Sequence, residues 1–332
     1  MNEHEHELEQ GQKEYHNSTD DPFQKGTVQR MFVRANRITL LRNIFISTLV
    51  SLMLLTGIYL INEYLLRKTG WNIISPLELN KRITGPNLYM DKPQIHKGLL
   101  RGSVTFQEYK VIENRVIPWD DHDLQYNLLF SRKAEILSGS SAEVRIEEEG
   151  QTRFMNDKSG ERQMLFYHPS LKYKNYMQDL TLLNQIHEDS YIEMGISLDK
   201  GYTLQEVDHM LPSGVHPTWY WVDSYNSGDL ELMKNNPLRA EELYGFQDYS
   251  DRLSKGTRNT EATFLKDVQN VMKCSNVYYA TQATKVYQAA QSHQQRGMII
   301  GLVVTGTRDQ LTQLQRIPTI KAAALGATVD KY

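Results

Sequence analysis

Cysteine is almost missing from this chain: Cys274 stands alone among 332 residues. No internal disulfide can form, so the fold must hold by packing, and a disulfide scaffold is excluded. Cys274 ends an apolar-periodic stretch, a position that suits an inert buried thiol. The sequence contains no G-x-S-x-G, no H-E-x-x-H, no P-loop and no G-x-G-x-x-G. The common signatures of acyl transfer, metalloprotease and nucleotide chemistry are therefore absent, and the chain reads as a non-enzyme without cofactor or metal site. Neither sign of charge dominates. With 37 Lys and Arg against 40 Asp and Glu, the net charge of −3 gives no reason to expect nucleic acid as a partner.

Long hydrophobic runs are scarce too, with one exception. Asn43 to Asn62 (NIFISTLVSLMLLTGIYLIN) is twenty residues without a charge. As a helix it is about 30 Å long, the thickness of a bilayer's hydrocarbon core. A signal peptide would carry a shorter apolar region near the start and a small-residue cleavage site, whereas this run ends in Glu-Tyr-Leu-Leu-Arg-Lys. A buried core helix would show a polar face, and only Ser47, Thr48, Ser51 and Thr56 interrupt this one. The expectation is a transmembrane helix over 43–62, crossing once. Lys25, Arg30, Arg34, Arg37 and Arg42 precede it and Arg67, Lys68, Lys81 and Arg82 follow it, so the positive-inside bias favours a cytoplasmic N-terminus only weakly.

Residues 1–26 read as a disordered acidic tail: Glu3, Glu5, Glu7, Glu9, Glu14, Asp20 and Asp21 outweigh Lys13, with too little apolar surface to offset ordering. His4, His6 and His16 lie in it with nothing rigid to make them metal ligands. Residues 27–42 form a basic amphipathic pattern. Val28, Met31, Phe32, Ala35 and Ile38 recur at helical spacing, with Arg30, Arg34 and Arg37 on another side. Such a helix meets anionic lipid head groups or docks a cytoplasmic protein, and Val28, Arg30, Met31, Phe32, Arg34 and Arg37 are the candidate contacts.

Residues 70–185 read as β-rich. Ser103 to Ile112 (SVTFQEYKVI) alternates, with a slip of register between Phe106 and Tyr109 that puts Tyr109 and Val111 on the apolar side. Glu143–Glu149 and Met164–Tyr167 are shorter strand candidates, with turns at Gly139–Ser141 and Asn156–Gly160. The run Asp120, Asp121, His122, Asp123 invites a metal hypothesis but reads better as a solvated turn.

Residues 186–332 carry an internal repeat at 195–225 and 301–332. Each copy opens with an apolar strand and turns at a glycine, Gly201 or Gly306. Each then offers a capping box, Thr203 with Glu206 or Thr307 with Gln310. The helices that follow carry Leu204, Val207 and Met210, or Leu311 and Leu314; proline ends each, and a strand follows. Two further helices lie between the copies, one capped by Asn259 or Thr260 and one stopping at Gly297. The expected class is α+β: a transmembrane helix, then an α/β sandwich with two βαβ repeats, ferredoxin-like in arrangement. Trp219, Tyr220 and Trp221 are consecutive, so a strand must show aromatics on both faces. Burial in a two-sided sheet and a surface platform for a wall glycan or protein partner are the two readings, and these three residues are the candidate outer binding surface.

The stretches EMGISLDKGYTLQEVDHMLP, TWYWVDSY, GLVVTGTRDQL and ALGATVDKY resemble the C-terminal domain of the membrane-bound sigma-factor regulators of Gram-positive bacteria. Upstream, RANRITLLRNIFISTLV is similar to that family's N-terminal segment. The resemblance implies an anti-sigma factor that holds an alternative sigma factor at the cytoplasmic face while its outer domain responds to envelope stress. It also implies a cytoplasmic N-terminus. Many anti-sigma proteins carry a larger cytoplasmic helical domain, so the short tail implies sigma binding either by the 27–42 helix directly or through a second membrane subunit.

Overall fold

The computed structural model describes residues 25–129, 135–138, 143–148, 150–234, 236–249 and 256–332. The acidic tail up to residue 24, with His4, His6 and His16, and the turn expected at Gly139–Ser141 lie outside the described residues. The chain divides into two compact units, 1–62 and 63–332.

In the first unit every described residue is helical and belongs to α1, Lys25–Lys81. The large apolar side chains of the run are exposed: Met53, Leu54 and Leu55 are each more than 60 % exposed. A core helix of a water-soluble domain buries such side chains, so this is a helix long and apolar enough to cross a membrane. Met31 and Phe32, in the basic stretch, are likewise exposed.

The second unit begins with the rest of α1, and here the sequence reading needs correction. The β-rich region was expected from residue 70, yet the helix runs to Lys81 with Pro76 inside it. Leu66, Ile73, Ile74 and Leu77 recur at helical spacing and pack on Val104, Phe106, Leu124 and Tyr126. That burial offsets the backbone hydrogen bond which Pro76 cannot make.

The first sheet follows: β1 (Leu88–Met90), β2 (Gln94–Lys97), β3 (Arg101–Ile112), β4 (Arg115–Asn127) and β5 (Glu135–Ser138). Its order is β1-β3-β4-β5, with β2 also on β3 and every pair antiparallel. A bulge interrupts the β3–β4 ladder, where Glu108 faces Asp120 but Tyr109 faces Pro118, leaving Trp119 as the extra residue. A proline in the middle of a strand calls for such an irregularity. The slip expected in β3 is therefore borne by β4. On β3 the buried face continues in strict alternation through Val104, Phe106, Glu108 and Lys110 while Tyr109 is only half-buried, so two charged residues occupy core positions. Nor is Asp120–Asp123 a turn: it lies within β4, with Asp120 buried and the His122 ring stacked on Phe106 at 4.5 Å. Short strands β6 (Glu143–Glu148) and β7 (Gln151–Asn156) make a separate hairpin, and β8 is Leu165–Phe166.

The second sheet is built from β9 (Ser190–Tyr202), β10 (His216–Val222), β12 (Gly245–Gln247), β13 (Ile299–Thr307) and β14 (Ile320–Asp330). Helix α2 (Leu204–Met210) joins β9 to β10, α6 (Arg308–Thr312) with a 3-10 turn joins β13 to β14, and between the two lie α3 (Ser227–Leu232), β11 (Leu238–Arg239), α4 (Glu261–Met272) and α5 (Val277–His293). The order is β12-β10-β13-β9-β14, all antiparallel. It follows that β9 and β10 run parallel with β13 between them, and β13 and β14 parallel with β9 between them. Each strand-helix-strand repeat thus encloses a strand of the other.

Local signals set the helix starts. Thr203 and Glu206 form the capping box of α2, Thr260 caps α4, Asn276 caps α5, and Gln310 accepts the Thr307 amide at 2.7 Å. Leu204, Val207, Phe264, Val268, Val286, Leu311 and Leu314 all enter one core on one face of the sheet. Gly201 is not a turn as expected. It lies in β9, where a Cβ would stand 2.3 Å from the Gly297 carbonyl oxygen, and the close approach of those backbones is what requires glycine. Gly306 lies likewise within β13. Cys274 is half-buried past the end of α4, its thiol directed at the Asn276 carbonyl at 3.5 Å.

Candidate functional site: a charged cleft between the sheets

Glu108 and Lys110 lie on the buried face of β3 that Val104 and Phe106 share, and Lys110 reaches from it to the second sheet. Lys110 is 2 % exposed and donates to Glu193 Oε2 of β9 at 2.7 Å. Glu193, fully buried, also accepts from Asn87 Nδ2 at 2.7 Å and from the Ala327 amide at 3.2 Å. Asn87 holds φ +54° and donates to the Val111 carbonyl as well, so it bridges the two strands. The Trp119 ring caps the Lys110 ammonium at 3.8 Å, which places the bulged residue of β4 over the charge.

Toward solvent the network continues. Lys81, in the last turn of α1, pairs with Glu108. His122 Nε2 lies 3.5 Å from Glu108 and 3.7 Å from Asp120, and Lys158 donates to Asp120 at 2.8 Å. Lys81, Glu108, Asp120 and His122, together with Thr84 and Gln163, line a cleft of about 190 Å³. Burial would raise the Glu108 carboxyl, but His122 and Lys81 outweigh it and bring it down to about 2 from an ordinary 4.5. A depressed carboxylate stabilises the fold above its unfolded value and loses that contribution as pH falls through the folded one. We therefore expect the melting temperature to fall steeply between pH ~4.5 and ~2, and Glu108→Gln to flatten that part of the profile. Thermal melts across that range, parent against variant, are the check; parallel curves would refute the assignment.

The arrangement is one of fixed, mutually compensated charge. It positions no nucleophile against a base, and no group of three His, Cys, Asp or Glu able to hold a metal occurs among the described residues. A second polar pair, His168 with Asp223 at 3.2 Å, is also buried. His168 Nδ1 accepts from the Ser170 amide, so Nε2 carries the proton that Asp223 receives.

The sequence reading placed its candidates elsewhere. Trp219, Tyr220 and Trp221 are completely buried: Tyr220 enters the helix-covered core, while Trp219 and Trp221 enter a second core with Met164, Phe166 and Leu243. The surface-platform reading is corrected, because both faces of the sheet are covered. Val28, Arg30, Met31, Phe32, Arg34 and Arg37 lie on α1 in the first unit and take no part in the cleft. Glu108, Lys110 and Glu193 were missed as a group; unbroken period-two counting from Val104 would have put Glu108 and Lys110 on the buried face.

Comparison with known proteins bears on what such a chain does. The family described as Sigma factor regulator N-terminal matches residues 29–117, and that described as Sigma factor regulator C-terminal matches residues 183–327. No curated protein and no solved structure matches. The first match takes in the apolar run, β3 and Glu108 and Lys110; the second takes in Glu193, the first repeat and the second as far as residue 327. A partner for such a regulator is a sigma factor, and on these two matches the chain belongs to the sigma factor regulator family.

Proposed function

We propose that this chain is a non-enzymatic, single-pass membrane anti-sigma factor, its N-terminus in the cytoplasm and residues 63–332 on the outer side. It restrains an extracytoplasmic-function sigma factor, through the basic 27–42 stretch or a second membrane subunit, and lets it go under envelope stress. The observation that carries this reading is the exposed apolar run of α1, preceded by a stretch with five cations and no acid from 23 to 42. The strand order around α2 and α6 supports a ferredoxin-like sandwich over 186–332. Lys81, paired with buried Glu108, supports α1 as the element through which the cleft is felt.

The experiment is co-purification of a sigma factor with the full-length chain and with a form lacking residues 1–38. Recovery is expected to fall at least tenfold in the truncated form; equal recovery would place the binding elsewhere. The cleft favours a second reading, a membrane-tethered module that binds cell-wall material or an envelope protein. On that reading the truncation leaves sigma recovery unchanged, and replacing His122 with alanine weakens capture of the envelope ligand.

A further inference from the structure

The hairpin between β2 and β3 ends in an exposed leucine that the cleft and the core do not use. Leu99 is 76 % exposed at the tip, and Leu100 beside it holds φ +58°, a left-handed conformation that favours glycine or asparagine. The turn is closed by the Gly98 amide donating to the Arg101 carbonyl at 2.9 Å. The end of β4 lies alongside: Asn127 faces Arg101, the Leu128 amide donates to the Leu100 carbonyl, and Leu129 is 65 % exposed. Two large apolar side chains are thus displayed together at one end of the sheet.

What they face follows from how that end is tied down. Lys97, the last residue of β2, pairs with Glu63, and the Tyr126 hydroxyl donates to the Leu66 carbonyl at 2.9 Å. Glu63 is covalently next to Asn62, the last residue of the apolar run, so a bilayer that holds the run places its head-group layer at Glu63. Lys97 and Arg101 flank the tip as exposed cations, and on α1 just past the apolar run Tyr64 is 55 % exposed and Arg67 and Lys68 are exposed too. Leucine at the depth where acyl chains begin, cations at the phosphates and tyrosine between them is the composition of an interfacial anchor.

We propose that the β2–β3 hairpin and the end of β4 form a second membrane contact, in which Leu99 and Leu129 enter the outer edge of the acyl layer while Lys97 and Arg101 engage anionic lipid phosphates. The proposal rests on the membrane reading of 43–62. It fixes the globular unit against the bilayer at two points instead of leaving it to swivel on a single helix.

The test uses the full-length chain with Cys274→Ser, reconstituted in vesicles of mixed phosphatidylcholine and phosphatidylglycerol. Leu99→Cys, Leu54→Cys and Val116→Cys are each labelled with an environment-sensitive fluorophore. Val116 lies eleven residues along β4 from Asn127, roughly 35 Å away, and reports the aqueous end. Position 99 is expected to emit blue-shifted light and to be quenched several-fold more by nitroxide lipid than by aqueous iodide, as at position 54. Behaviour at 99 like that at 116, with 54 still in lipid, overturns the hairpin contact alone. An aqueous signal at 54 overturns the membrane span and the contact with it.

Discussion

Replacing Lys110 with alanine is expected to lower the melting temperature of the full chain in detergent by on the order of 10 °C, equivalent to about 3–5 kcal/mol. The loss comes less from the missing pair than from what stays behind. Glu193 is fully buried, and without the ammonium it keeps, among the described residues, Asn87 and the Ala327 amide as donors to its charge. Trp119 also loses the cation beneath its ring. Removing the charge at both ends, with Lys110→Met and Glu193→Leu together, should recover part of the loss, since no bare charge is then buried. Emission from the buried tryptophans reports the melt. A Lys110→Ala chain within about 1 kcal/mol of the parent would mean that water reaches Glu193, and the pairing across the sheets would not matter as argued.

Trp221→Ala is the second large effect, with an expected cost of about 3–5 kcal/mol for emptying a fully buried indole site. Its ring meets Phe166 edge-on at 5.5 Å, its Nε1 donates to the Tyr225 hydroxyl at 3.1 Å, and a Cβ at Gly301 would stand 2.7 Å from it. There is little slack for neighbours to fill the gap. Trp221→Phe should also lose the Tyr225 bond, about 1 kcal/mol beyond the volume change. Trp219 is equally buried, but its Nε1 has no partner among the described residues, so Trp219→Phe should be the milder change. Denaturant titration of the three variants gives the ranking. A surface platform would behave the other way, with stability kept and an outer ligand lost, and an unchanged midpoint for Trp221→Ala would revive it.

How far the sequence could be read depends on the range of each signal. Asn43–Asn62 is legible because a span is a local property, so many apolar residues in a row. Thr203 with Glu206 and Thr260 before Glu261 are legible because caps act over three residues. The repeat is legible as well, since each copy has its own strand, cap, helix and proline. By contrast the end of α1 is not legible, and the helix runs on through Pro76 to Lys81. The local rule against proline in a helix is overridden by Leu66 and Ile74 packing on Val104 and Phe106 some thirty residues later. Glu108 and Lys110 mislead for the same reason: their partners, Lys81 and Glu193, lie on elements that only the fold brings to them.

By itself the sequence determined the apolar span, the caps that start the later helices, the repeated strand-and-cap pattern and the family likeness, all signals carried by near neighbours in the chain. Only the tertiary structure decided that the repeats interleave, that three aromatics are covered on both faces, and that β3 turns two charges inward. The reason is that strand order and the burial of charge depend on which distant surfaces meet, and a hydrogen-bonded ladder accepts any neighbour whose side chains fit.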